Sequence, residues 1–280
     1  MSEQKRSILH TELEYLGAQF SISPEGFNLA QSFYGEKPLE DALKDCVLVD
    51  LSGISYTLVS GASAQNFVEA VFAGKQLEIG ETSFECALTG DGSLSSIALL
   101  ARSGQNEYVV LDASKRSLIL EEWLSIIASV EQNGIAPYAE ASLEDATPLL
   151  TPLLLAGKKT EKVLMDYLGE QQLPEESKLC NLMLDKTIPA LVANVSTKKV
   201  PAYLVMIPPV HTVILFRSLL SFETVHPLGH KQLIKGLKTY LPWFSELASN
   251  TKVVLAKDKL EGWGLFRTSD DFIGARGDLL

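Results

Sequence analysis

The stretch VLVDLSGISYTLVSGASA, residues 47–64, decides how this chain is read. Val47–Leu51 and Ser55–Ser60 are short apolar or β-branched runs, and the turn-prone Ser52-Gly53 lies between them, so they read as a strand pair. Asp50 ends the first run before the turn. It is expected to be half-buried and to cap the turn at Gly53 through its carboxylate. Beyond the second run, Ala64, Phe67, Val68, Val71 and Phe72 recur at helical spacing, with Ser63 as N-cap and Gly74 as stop.

Working outward, Phe84–Leu88, Ser95–Ala101 and Tyr108–Leu111 read as three strands joined by hairpin turns at 90–92 and 103–106. Leu120, Trp123, Leu124, Ile127 and Val130 mark another amphipathic helix. The pattern then repeats loosely. Pro148–Leu155 is apolar, but Pro148 and Pro152 argue against a central strand. Thr160–Leu168 reads as a helix stopped by Gly169, and 169–178 as a loop. Ile188–Val195 and Ala202–Ile207 are strand-like, while Pro209–Leu220 and Lys231–Leu237 are helix-like. Val253–Ala256 and Trp263–Phe266 are expected as late strands. Hairpins separated by helices predict an α+β fold rather than a doubly wound parallel sheet.

Composition narrows the function. The 280 residues include 35 acids and 24 Lys or Arg, a net charge of −11, which excludes a sequence-independent grip on nucleic-acid phosphates. No apolar run approaches the roughly 20 residues that span a bilayer. Met1–Ser7 leads into no apolar stretch, so no secretory signal is expected. Cys46, Cys86 and Cys180 are far apart and never in a CxxC pair. They read as free thiols in a reducing, cytoplasmic setting.

No GxxxxGK[ST], GxGxxG after a strand, GxSxG or HExxH is present. His226 and His230 are four apart, but Pro227 and Gly229 lie between them and no Cys lies close. They read as surface histidines and not a metal pair. Glu121-Glu122, Glu175-Glu176 and Asp270-Asp271 read as solvated pairs. Asp112 ends a strand just before a helix start at Ser114 or Ser117, where capping and ligand binding are equally open to it.

In order along residues 12 to 280, several segments resemble the glycine cleavage T-protein (aminomethyltransferase) and YgfZ folate-binding superfamily. Residues 49–54 and 59–64 resemble its FDxSHMG and VxGxDA; 92–97 sits at GGxxDDL, 108–113 at YxLVxNA and 155–160 at LQGPKA. Residues 188–193 resemble VPVLVAR, Pro208 and His211 fall in VPAEHA, and 262–264 and 271–274 resemble LGW and DFIG. The resemblance implies a tetrahydrofolate-dependent aminomethyl or methyl transferase, built as two interleaved antiparallel-sheet and helix domains around a folate cavity. It places the first domain at 1–46 with 140–225 and the second at 47–139 with 226–280. A third, C-terminal barrel of the family is not represented in the sequence.

The departures fall in the site. Ser95 and Ser96 replace the acidic pair, and a serine has no useful pKa for activating a folate nitrogen. Val200 and Leu204 stand where carboxylates hold the pterin. Without one, buried pterin donors go unpaired, at about 1–3 kcal/mol each. Gly53 and Ile54 replace His-Met, Asp112 replaces an Asn, and KGCYxGQE is missing. The expected reading is a folate-type one-carbon protein with a diverged site. Its cofactor-binding candidates are Asp112, Ser95, Ser96, Asp50, Ile54, Tyr56 and Phe84, with Asp112 replacing the lost acidic anchor. The alternative is a non-catalytic member that acts as an interaction module, with a protein partner or second copy covering the surface where the barrel packs. No membrane, nucleic acid or metal is expected.

Overall fold

The computed structural model describes residues 5–23, 26–131 and 133–277, so the reading of Met1–Gln4 lies outside it. The fold is mixed α+β. In chain order the elements are β1 (Lys5–Arg6), α1 (His10–Tyr15), β2 (Ala18–Ile22), β3 (Phe27–Phe33), α2 (Leu39–Ala42) and β4 (Cys46–Asp50). They continue with β5 (Ser55–Ser60), α3 (Ala64–Val71), β6 (Thr82–Leu88), β7 (Leu94–Gly104), β8 (Glu107–Asp112), α4 (Ser117–Ala128) and β9 (Ser142–Asp145). Then follow β10 (Thr151–Ala156), α5 (Thr160–Met165), β11 (Leu179–Leu184), β12 (Ile188–Asn194), β13 (Ala202–Ile207) and α6 (Pro209–Leu220). The last are β14 (Val225–Pro227), α7 (His230–Tyr240), a 3-10 turn at Phe244–Ala248 and α8 (Lys257–Gly262).

The chain divides into two compact units, Met1–Gly53 with Thr147–Tyr240 and Ile54–Ala146 with Leu241–Leu280. The chain changes unit after Gly53, not after residue 46. The reason is that β4 is bonded on both flanks inside the first unit, antiparallel to β10 and parallel to β14. The same fact overturns the strand pair at 47–60. With both edges of β4 taken, β5 pairs instead with β8 and β9 in a different sheet.

Unit 1 holds a six-stranded sheet in the order β11-β12-β13-β10-β4-β14 and a three-stranded sheet β1-β3-β2. Its core lies between the six-stranded sheet and α1, α5 and α6, where Leu48, Leu153, Leu155, Val205, Leu164 and Phe216 are buried together. Contrary to expectation, Pro152 sits in a central strand, opposite Met206. Its carbonyl accepts from the Leu51 N–H at 3.0 Å, so its missing donor points to the flank where β4 has already left the ladder.

Unit 2 holds a five-stranded antiparallel sheet in the order β6-β7-β8-β5-β9. α3 and α4 cover one face, burying Val59, Phe67, Ala87, Ala98, Tyr108 and Leu124. Ser63 precedes α3 but makes no side-chain cap, and the helix ends at Val71, before Gly74. The late strands are absent among the described residues: α8 occupies Lys257–Gly262, 253–256 and 265–266 carry no ladder, and Trp263-Gly264 form a turn, with Gly264 at φ 72°. Leu255 and Leu265 are buried there, so burial without a ladder imitates a strand pattern. Among the described residues, no helix is long and apolar enough to cross a membrane.

Candidate functional site

In unit 2, Asp112 ends β8 and is fully buried on the helix-covered face. Its two carboxylate oxygens accept from Ser96 Oγ at 2.6 Å and from the Ser114 N–H at 2.8 Å. Ser114 Oγ in turn accepts from the Arg116 N–H at 3.1 Å, so Asp112 and Ser114 cap the turn that leads into α4. Burial raises the Asp112 carboxyl above the usual range, and its hydrogen bonds to Ser96 and Ser114 oppose that shift. Arg116 is buried too. Its Nε donates to Ser95 O at 2.7 Å, and Nη1 donates to Ser249 O and Thr251 O at 2.8 and 2.9 Å. Nη2 donates to Leu94 O.

Ser95 and Ser96 differ in setting although they are adjacent. Ala87 pairs with Ser96 and Leu88 with Leu94, which leaves Ser95 as the extra residue of a β-bulge. Its hydroxyl is fully buried and has no hydrogen-bond partner. The register puts Phe84 and Tyr56 on the sheet face opposite Asp112. Tyr56 is buried, and Phe84 packs on Trp243 with ring centroids 4.8 Å apart. Ile54 precedes β5 and is half-buried. The strand positions around Phe84 on that face are Thr82, Cys86, Ile97, Leu99 and Leu111, none of them acidic. The carboxylates on that face, Glu107 and Glu144, are exposed at its margins.

Asp50 belongs to unit 1. Its Oδ1 accepts from the Ser52 N–H at 3.0 Å and from Ser52 Oγ at 2.5 Å, a local turn cap. It borders a cavity of about 10 Å³ with Leu48, Phe33 and His230, too small for any cofactor ring. His230 is buried, so it is not a surface histidine; its Nε2–H donates to Asp50 O at 3.1 Å. His226 is half-buried and lies 3.0 Å from Asp45. The segment between them belongs to β14 and its exit, which turns the two rings to different partners. Among the described residues, no cluster of three His, Cys, Asp or Glu is placed to hold a metal ion.

Burial lowers the His230 pKa from its ordinary 6.5. The unfolded chain therefore binds a proton near pH 6 that the native state refuses, and stability is lost as pH falls below about 6.5. We expect His230→Gln to flatten that acid-side loss in urea midpoints taken at pH 5 and pH 7.5. An unchanged pH dependence would show that His230 does not carry it.

On the second face of the unit 1 sheet, Val47, Val49, Ala193, Leu204 and Met206 are buried, and again none is acidic. A wider groove of about 770 Å³ lies beside α5, lined by Glu161, Gln171, Lys199 and Tyr203 among others. Its polar groups bond one another: Tyr203 Oη donates to Glu161 at 3.1 Å and accepts from Asn194 Nδ2 at 3.1 Å.

No protein-family model matches the sequence, and no curated protein matches it. Solved structures do. The glycine cleavage system aminomethyltransferase T from Bartonella henselae superposes with a TM-score of 0.77 over 98% of this chain and 73% of its own, at 17% identity. A heterotetrameric sarcosine oxidase from Corynebacterium sp. U-96 matches 65% of this chain and 88% of its own, with a TM-score of 0.45 and 14% identity. The fold is therefore that of aminomethyltransferase T.

Proposed function

We infer that this chain is a glycine cleavage T-protein-like protein that keeps the fold without the aminomethyl-transfer chemistry and without a carboxylate-anchored folate. The observation that carries the kinship is the superposition on aminomethyltransferase T across 98% of the chain. The loss of chemistry is supported by the residues. Asp112, the acid offered in place of the missing pair, is sealed under α4 and satisfied by Ser96 and Ser114. Tetrahydrofolate held by a carboxylate does not fit the donor set, because the buried strand positions on the two sheet faces away from the helices carry none.

The test is tetrahydrofolate-dependent transfer from an aminomethyl-lipoyl carrier, followed by ammonia release; no turnover is expected, and turnover would overturn the reading. A thermal-shift titration with tetrahydrofolate separates the two forms of a non-catalytic protein. A ligand at 100 times its Kd stabilises the native state by about 2.7 kcal/mol, a rise of several degrees. We expect less than about 1 °C, which leaves an interaction module. A rise of several degrees would restore a folate-binding site, and the unpartnered Ser95 hydroxyl is the group to test there as Ser95→Ala.

A further inference from the structure

Glu85 has an unusual setting for a carboxylate. It lies in the middle of β6, opposite Ala98, on the helix-covered face of unit 2. It is fully buried; neither carboxylate oxygen makes a hydrogen bond of good geometry, and only the Ser83 hydroxyl and the Lys75 N–H come near enough to favour its charged form. The carboxyl fits there because residue 74 is glycine: a Cβ on Gly74 would stand 1.5 Å from Oε2. Over the same turn runs the segment 265–277, which has no ladder of its own and is docked by five hydrogen bonds and by the buried Leu265, Phe266 and Phe272. The Arg267 N–H donates to Ala73 O and the Ile273 N–H to Ala70 O, both at 2.7 Å. The Arg267 guanidinium donates to Phe72 O at 2.5 Å, to Gly74 O at 3.1 Å and to Glu69 O at 2.6 Å.

We propose that Glu85 is a proton-operated latch under this C-terminal strap: neutral, it lets 265–277 stay docked over the Gly74 turn, and when it ionises the strap lifts. Desolvation outweighs the weak help of the Ser83 hydroxyl and the Lys75 N–H, so an ionised carboxylate there is costly to keep dry. β6 is bonded into the sheet along its length, so the yielding element is the strap. The charged groups around Glu85 are already engaged. Lys75 pairs with Glu81 at 3.0 Å, Arg267 with Asp271 at 2.7 Å, and Glu69 accepts from Gln65 at 2.8 Å. Ser83, on the same strand, donates its hydroxyl to Phe84 O. Cys86 faces the other way and is itself buried as a neutral thiol. Burial pushes Glu85 up to about 8, against an ordinary value of 4.5. Strap opening that hydrates the carboxyl restores the ordinary value. Opening therefore releases one proton between about pH 5 and 8 and is favoured about tenfold per pH unit there, levelling off above.

Hydrogen exchange of the intact chain from pH 5 to 9, corrected for the intrinsic rate, tests this. In wild type, protection of the 267 and 273 amides is expected to fall about tenfold per unit up to pH 8 and then flatten. It should stay below that of β7 throughout, and Glu85→Gln should remove the slope. Glu85→Met is the second non-titrating variant should the amide fold poorly. Three results would overturn the latch: a flat wild-type profile, a slope that survives both variants, or strap protection equal to that of β7, which would mean the strap opens only when the whole unit unfolds.

Discussion

Replacing Arg116 by methionine is expected to destabilise the protein by about 3–5 kcal/mol, read as a fall in the urea midpoint at unchanged slope. The side chain is only 3% exposed, and its guanidinium bonds the carbonyls of Leu94, Ser95, Ser249 and Thr251. Methionine fills similar space but leaves these acceptors without their donors, each worth about 1–3 kcal/mol when buried and unpaired. It also removes the cation whose field acts with Asp112, leaving that buried acid further from charge balance. Lysine recovers only part of the loss, because one ammonium cannot reach four carbonyls spread over two segments. A loss below about 1 kcal/mol would mean that water replaces the guanidinium and that the 249–251 segment is not held by it.

Arg116 also shows where sequence reading stops. Asp112, Ser114 and Ser117 announce a helix start, and the start is there. Nothing in the local pattern says that the next cation turns inward to bind backbone 133 and 135 residues away. β5 to β8 are legible because short apolar or β-branched runs are separated by turns that carry Gly, Asp and Asn, although β7 and β8 are buried on both faces; β9, short and mostly exposed, is not. β10 was not, because a proline in a run usually marks an edge; what decides it is which flank the missing N–H faces, a three-dimensional fact. The bounds of helix Pro209–Leu220 are legible because Pro is favoured in a first turn, but its face is not: the helix buries Thr212, Leu215, Phe216 and Leu219 and exposes Val210 and Ile214. β1, β2 and β3 escaped notice because their residues are half exposed and lack a clean alternation.

The candidate site was legible as a list and not as an arrangement. Ser95 and Ser96 are adjacent in sequence, yet the bulge gives one an unpartnered hydroxyl and the other a carboxylate partner. Tyr56 and Asp112 both come from the central strand pair, but the two-residue period sends them to opposite faces. Asp50 lies in the other unit and caps its own turn. Glu85 stands in a strand of otherwise uncharged residues, and only the space left by a glycine 11 positions earlier explains how it stays inside.

A large pH effect on stability is expected from that same carboxyl. Its native pKa of about 8 lies above its ordinary 4.5, so between those values the native state holds a proton that the unfolded chain has lost. Stability therefore falls as pH rises through this window, by at most about 1.4 kcal/mol per unit and on the order of 4–5 kcal/mol in all. His230 acts in the opposite sense, because its lowered pKa makes stability rise from pH 5 toward pH 7. Asp45 and Asp91, whose ion pairs lower their pKa values, are ionised in both states across the window and contribute no slope. Asp112, raised by burial, acts in the same sense as Glu85, so the wild-type profile sums several curves, and the difference from Glu85→Gln isolates the Glu85 part. In urea titrations, wild type and Glu85→Gln are expected to converge near pH 5 apart from a constant offset. By pH 8 the variant should have gained several kcal/mol relative to wild type. Parallel profiles from pH 5 to 8 would mean that Glu85 is already ionised in the native state, and that some donor reaches it through the Gly74 turn.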